Sequence, residues 1–274
     1  MFSLSLHHLT ALDASPSELV RFASAAGCKN VTLFTYMPVP YRHRYPMIEA
    51  GEVDLLADVM GLAEVACHSL EVFPLTVDPD WEELTRGLDI GSRLEAQFAT
   101  VHSHLEDERE AVEQMVRLGD IAGQRGIGLA LEFNPFSKCA SLACALRLVE
   151  QAERCGTPVG IVLDTLHAVR SGVTVAEIGS AADHIRYVQL SDGPRTMPSE
   201  DKWKEAISHR LYPAEGELPL AEMLATLSRR DLPLDVEVPR RADPQGRSTP
   251  EERCRVAIEH TRRFMDRVGL SYVR

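Results

Sequence analysis

Apolar runs rich in β-branched residues alternate along the chain with longer stretches whose apolar positions recur at helical spacing. Eight such runs, at 2–7, 30–34, 66–73, 98–102, 128–133, 160–164, 185–190 and 234–238, predict strands. The stretches between them predict helices. The clearest covers 106–124, where Ala111, Val112, Met115, Val116, Leu118, Ile121 and Ala122 make one apolar stripe. Two helix starts carry their own signals. Ser15-Pro16-Ser17-Glu18 and Thr249-Pro250-Glu251-Glu252 each place a hydroxyl at the cap, proline at the first helical position and glutamate at the third.

Eight rounds of strand and helix, over 274 residues, predict parallel strands joined by right-handed crossovers and closed into a (β/α)8 TIM barrel, a single α/β domain over 1–274. An open doubly wound sheet lacks support, because no GxGxxG follows the first strand and no GxxxxGK[ST] occurs. One connection stands out by length. Residues 193–218, with Pro194, Pro198 and Pro213 and a mixed charge pattern, predict a lid or binding loop after the seventh strand.

The balance of 29 Lys and Arg against 41 Asp and Glu gives a formal charge of -12. A chain this acidic repels phosphate backbones and anionic membrane surfaces, so neither nucleic acid nor a membrane is the expected partner. No apolar run approaches the ~18 residues of a membrane helix. The N-terminus has no basic region of the signal-peptide kind, which points to the cytoplasm. The six cysteines form no CxxC pair and read as reduced thiols of that compartment.

Barrel enzymes build their sites where the strands end. Four consecutive strands end here in an oxygen-bearing side chain within an apolar run: Glu132, Asp164, Gln189 and Glu237. Any one of these could pair with an arginine or cap a helix; four converging on one mouth ask for a counter-charge. Like charges raise one another's proton affinity, and a divalent cation relieves this most directly. An all-oxygen set suits Mn2+ or Mg2+, admits Co2+ and suits Zn2+ less well.

The same residues carry a family resemblance over essentially the whole chain. Glu132-Phe133-Asn134-Pro135, Leu163-Asp164-Thr165-Leu166-His167, Gln189-Leu190-Ser191-Asp192-Gly193-Pro194-Arg195 and Tyr212-Pro213-Ala214-Glu215-Gly216-Glu217 resemble motifs of the xylose isomerase-like TIM-barrel superfamily. That group includes ketose 3-epimerases, inosose isomerases and dehydratases, 3-dehydroshikimate dehydratases and endonuclease IV. The resemblance implies one metal held by Glu132, Asp164, Gln189 and Glu237. It makes Glu132 and Glu237 an acid/base pair, gives His167 and Arg195 to the substrate, and takes the 212–217 segment as a lid of the Pro-Gly-x-Gly kind. Gln189 stands where many relatives have histidine; glutamine at that place resembles some dehydratase branches and supports the lyase reading. His102, His68, Glu71 and His7, at or near other strand ends, are expected to line a pocket for a small polyhydroxylated carbonyl compound.

The implied chemistry is an enolate next to a polarised carbonyl. Return of the proton gives an epimerase or an isomerase of carbohydrate metabolism; loss of a β-hydroxyl gives a lyase of the inosose or 3-dehydroshikimate dehydratase type. The first is the leading expectation and the second its alternative. Endonuclease IV chemistry is remote, because the Asp-x-His pair of that family is missing where Glu200-Asp201-Lys202-Trp203-Lys204 stands. Barrels of this group often assemble as homodimers or homotetramers, which is the expected state.

Overall fold

Strands with continuous apolar runs need cover on both faces, and a closed ring of parallel strands inside a ring of helices supplies it. The computed structural model describes residues 1–197, 202–227, 231–240 and 248–273. Its strands β1 (Phe2–His7), β2 (Asn30–Phe34), β3 (Ala66–Leu75), β4 (Phe98–Ser103), β5 (Gly128–Glu132), β6 (Val159–Asp164), β7 (Ile185–Leu190) and β8 (Leu232–Val236) pair in chain order and close β8 onto β1. The expected TIM barrel is formed.

Helices α1 (Pro16–Ala25), α2 (Val53–Ala63), α3 (Trp81–Arg93), α4 (Glu108–Gly123), α5 (Leu142–Arg154), α6 (Thr165–Arg170), α7 (Val175–Ser180), α8 (Lys202–Ser208), α9 (Leu220–Leu227) and α10 (Pro250–Val268) surround it. Their starts follow the caps read from the sequence. Ser15 and Glu18 exchange hydrogen bonds as a complete capping box on α1, and the Thr249 hydroxyl accepts the Glu252 N–H on α10. The α4 stripe buries Ala111, Val112, Met115, Leu118 and Ala122. None of the described helices is long and apolar enough to cross a membrane.

Two strands, β3 and β8, differ from expectation by two residues, and β4, β5 and β6 by one. β8 starts and stops two residues early, so Glu237 lies just past it; its N–H still donates to the Leu190 carbonyl at 3.1 Å, which extends the β7 register to the site residue. β3 runs on to Leu75 and is irregular in two places. At the first, Cys67 pairs with Val31 and Ser69 with Thr32, leaving His68 as the extra residue.

Within the barrel the side chains change character with height. Low down, Ala130, Val162 and Tyr187 pack as an apolar plug against Phe98. Above it Ser69, Thr100 and Tyr187 share hydroxyl hydrogen bonds, the shortest 2.6 Å between Thr100 and Tyr187. The charged groups come last, at the mouth.

The 193–218 connection, of which 198–201 lie outside the described residues, is folded chain rather than open loop. α8 sits within it, and Asp192 bridges to Leu211 in antiparallel fashion. The Asp192 carboxylate then gathers the lid segment. One oxygen accepts the N–H of Ala214 and Gly216, the other those of Gly193 and Leu218, at 2.8 to 3.1 Å. Ala214, at φ 70°, occupies the left-handed turn position for which the family motif has glycine. Gly216 is required outright, since a Cβ there would stand 2.3 Å from the Gly193 carbonyl oxygen.

Candidate active site

Each strand-end residue reaches the mouth for a local reason. Glu132 and Asp164 are the last residues of β5 and β6, Gln189 is next to last in β7, and Glu237 follows β8; all four are buried. Asp164 is also the N-cap of α6. Its Oδ1 accepts the His167 N–H at 2.8 Å, and that cap geometry brings the imidazole one turn later back over the strand end. His167 Nε2 lies 3.5 Å from Glu132 and 3.9 Å from Asp164. His102, on β4, donates from Nε2 to Glu132 Oε2 at 2.6 Å and keeps part of its ring exposed.

A residue that the sequence did not single out stands at the centre. Arg210, from the long connection, is buried with one guanidinium nitrogen 2.5 Å from Asp164 Oδ2 and the other 2.8 Å from Glu237 Oε1. Its Nε donates to the Ala206 carbonyl at 2.8 Å and ties it to the end of α8. The linear signal was faint. A basic residue three positions before Pro213 of the lid segment carries no sign that it reaches strands β6 and β8. Arg195, expected to face the substrate, is instead exposed, with its backbone N–H donating to Glu217. The buried guanidinium between Asp164 and Glu237 is that of Arg210.

His68 is the other displaced expectation. The β3 bulge turns it into the barrel interior, edge-on to Tyr187 at 4.7 Å and to Phe98 at 5.7 Å. Phe98 opens β4 and His102 stands four residues up, about 13 Å along a strand, so His68 does not reach the mouth. Glu71 does. It accepts from Thr100 and from the Gln189 amide, both at 2.9 Å, with His7 Nε2 at 3.4 Å.

Burial drives every carboxyl here upward, and the neighbours decide the outcome. For Glu132, His102 and His167 outweigh burial and hold it below the usual range; for Asp164, Arg210 and His167 do the same. For Glu237 burial prevails over Arg210 and His7, so it keeps a proton to higher pH than Glu132. His102 is raised, because Glu132 overcomes its burial, whereas burial lowers His167.

Whether these residues suit a cation is answered by Gln189. Its amide nitrogen is committed to Glu71, which leaves Oε1 buried and without a hydrogen-bond partner among the described residues. A buried amide oxygen is costly to orphan, and a cation is the partner this donor set fits. Of the expected carboxylate ligands, Glu132 and Asp164 have ligand atoms within 4.8 Å of one another together with His167, which was expected at the substrate; Glu237, paired with Arg210, is not in that group.

A family model for the xylose isomerase-like TIM barrel matches residues 20–264. The chain belongs to that family. No curated protein matches it. Among solved structures it is similar to the IolI protein with a bound zinc atom (TM-score 0.77, 19% identity, 97% of this chain and 99% of that one). It is also similar to the probable 3-DHS dehydratase AsbF from Bacillus anthracis (TM-score 0.76, 13% identity, 95% and 99%) and to D-allulose 3-epimerase from Methylomonas sp. (TM-score 0.70, 16% identity, 97% and 98%). At these identities the likeness is one of fold. The family's isomerases, epimerases and dehydratase leave the reaction to be argued from the site.

Proposed function

We propose that the protein is a divalent-metal-dependent lyase that removes a proton from the carbon beside a carbonyl in a small polyhydroxylated compound and expels a β-hydroxyl as water. The observation that carries this reading is the 2.6 Å contact between His102 and Glu132. It sets a proton donor and a proton acceptor side by side on one wall of the mouth, while Glu237, opposite, is clamped by Arg210.

Glu132 takes the proton. The C–H electron pair becomes the carbon-carbon double bond as the C–O bond to the β-hydroxyl breaks, and that oxygen leaves with the His102 proton as water. The proton on Glu132 then crosses to His102, which restores both groups. His167, with Nδ1 unpartnered, is placed to donate to a substrate oxygen, and Arg210 fixes Asp164 and Glu237. Glu132, Asp164, Glu237 and Gln189 Oε1 would hold the metal, as Mn2+ or Mg2+ from the hardness of the donors. The chemistry it supplies when bound is Lewis-acid polarisation of the substrate carbonyl. The zinc of the IolI neighbour adds Zn2+ to the ions to be compared.

An isomerase or epimerase is the second reading. It is favoured by the placement of Glu132 and Glu237 on different sides of the mouth, at the ends of β5 and β8, as removal and return of a proton at two faces requires.

Incubation with ketoses, inososes and 3-dehydroshikimate in D2O separates the two. Loss of 18 mass units supports elimination; deuterium uptake without that loss supports the second reading. Glu132→Gln should slow either by between about a hundredfold and ten-thousandfold. Exchange undiminished in that variant, or none with any compound, would overturn both.

A further inference from the structure

Two of the six cysteines stand apart from the rest. Cys28, Cys67 and Cys254 are buried, and burial pushes each thiol up to about 12, which keeps it protonated and inert. Cys139 and Cys144 meet one another instead, the Cys139 thiol donating a hydrogen bond to the Cys144 sulfur. Their surroundings are unequal. Cys139 is buried on the turn between β5 and α5, whereas Cys144 is half-buried in the first turn of α5. There its N–H donates to the Ser141 cap at 3.2 Å, and its thiol is directed at Glu108 Oε1, 3.8 Å away. The bond from Cys139 holds the Cys144 thiol below its usual range although burial opposes this, and Arg147, one turn on, acts in the same direction. The positive end of α5 favours a thiolate there as well. Cys139, as the donor, is raised by that same bond and by burial, so it keeps its proton.

The turn that carries Cys139 also joins two strand ends at the mouth. Its carbonyl accepts the Asn134 N–H at 3.2 Å and the Ser137 hydroxyl at 2.8 Å. The N–H groups of Lys138 and Cys139 both donate to the Ser103 carbonyl, at 2.7 and 3.4 Å, where β4 ends. Asn134 lies two residues after Glu132, and Ser103 directly follows His102. A displacement of Cys139 is therefore passed to the backbone beside both of them.

We propose that Cys139 and Cys144 are a modification site, which hydrogen peroxide joins in a disulfide that draws Cys139 away from the end of β4. The Cys144 sulfur attacks one peroxide oxygen; the S–O bond forms as the O–O bond breaks, and the departing hydroxide takes the Cys144 proton and leaves as water. The Cys139 sulfur then attacks the sulfur of that sulfenic acid. The S–S bond forms as the S–O bond breaks, and this second hydroxide takes the Cys139 proton. Two thiols give up two electrons, one peroxide takes them, and two waters result. A covalent bond holds the two sulfurs closer than a hydrogen bond does. Cys144 is fixed in a helix, so the Cys139 side has to move, and its 3.4 Å bond to Ser103 is the first to give.

The test needs neither metal nor substrate, so it stands or falls apart from the reaction proposed above. The reduced protein is treated with hydrogen peroxide and digested with trypsin, which cuts after Lys138 and Arg147 and leaves both cysteines on the 139–147 peptide. That peptide should lose two hydrogens and regain them with dithiothreitol. Cys139→Ser should stop the reaction at a sulfenic acid on Cys144 that dimedone traps, and Cys144→Ser should leave the peptide unoxidised. Amide hydrogen exchange at Lys138 and Cys139, read by mass spectrometry, should quicken about tenfold in the oxidised wild type and stay as it was in peroxide-treated Cys144→Ser. Both wild-type readouts hold even where Cys139→Ser fails to fold. No loss of hydrogens, a disulfide to Cys155 or another cysteine in its place, a sulfenic acid that persists on Cys144 beside Cys139, or exchange that is unchanged or slower on oxidation overturns the inference.

Discussion

The two halves of the barrel mouth handle buried charge in opposite ways. On the β1 to β4 side the carboxylate of Glu71 is surrounded by Thr100, the Gln189 amide and His7, while Ser69, Thr100 and Tyr187 satisfy one another beneath it. Glu71 is partnered there by the chain itself. On the β5 to β8 side Glu132, Asp164 and Glu237 face one permanent cation, Arg210. Glu132 and Asp164, held below the usual carboxylate range, face that cation while Glu237 keeps its proton to higher pH, a charge deficit that a divalent ion would relieve. The difference teaches that a single buried acid is accommodated by two neutral donors and a histidine raised to about 9, whereas the clustered acids on the other side call for a further partner.

Removal of Arg210 strikes the β5 to β8 half hardest. Arg210→Met should cost about 3–5 kcal/mol in chemical denaturation, because it strands two buried carboxylates. Part of the loss should return with Mn2+ or Mg2+, which replaces the missing charge. A cost below about 1 kcal/mol would mean that the acids simply take up protons, and the contrast between the halves would collapse.

Next in size is a pH effect at the top of β1, where adjacent histidines face different surroundings. His7, facing Glu237, Asp235 and Glu71, is raised to about 9 although burial opposes this. His8 donates from Nε2 to the Ala14 carbonyl, and burial lowers it to about 4. A histidine lowered in the folded state is stabilising when neutral, so its contribution is full above the unfolded value of about 6.5 and is lost as pH falls toward 4. The loss should be about 3 kcal/mol across that window, measured as denaturation midpoints against pH. His8→Gln keeps a donor for Ala14 and should flatten the slope. An unchanged slope would assign it to the acidic half instead.

How much of this was legible beforehand follows from the reach of the contacts. β1, β2 and β7 were read to the residue, because apolar runs bounded by polar ones mark strands wherever both faces are buried. Glu132, Asp164, Gln189 and Glu237 were legible for the same reason, as polar interruptions of apolar runs. His68 was misplaced because it stands near the start of β3, at a bulge, rather than at the strand's end. Arg210 was missed because its partners are Asp164, 46 residues back at the end of β6, and Glu237, ahead of it just past β8, and no local pattern encodes such contacts.

The β5 to β8 half should also respond to its partner. At about a hundred times Kd, an ion bound to the folded state alone adds about 2.7 kcal/mol, and in a domain of this size each kcal/mol raises Tm by about 2–4 °C. Thermal melts with Mg2+, Mn2+, Co2+ and Zn2+ measure this and rank the ions. Gln189→Ala should shrink the rise by removing the orphaned amide oxygen. A Tm indifferent to all four ions would leave the charge deficit without its explanation.

The smallest expected effect belongs to the β1 to β4 half, and its value lies in what it leaves unchanged. The Tyr187 hydroxyl meets Thr100 at 2.6 Å and Ser69 at 3.1 Å, with no carboxylate ligand of the mouth in contact. Tyr187→Phe keeps the ring against His68 and Phe98 and removes only that hydroxyl. The loss should be about 1 kcal/mol, since Ser69 and Thr100 still have each other, and Thr100 still has Glu71. Because this network is closed without an ion, the same loss should appear with and without saturating metal, as two melting curves displaced in parallel. A loss that grows when metal is added would show that Thr100 and Glu71 transmit strain to Gln189, making the two halves one coupled site.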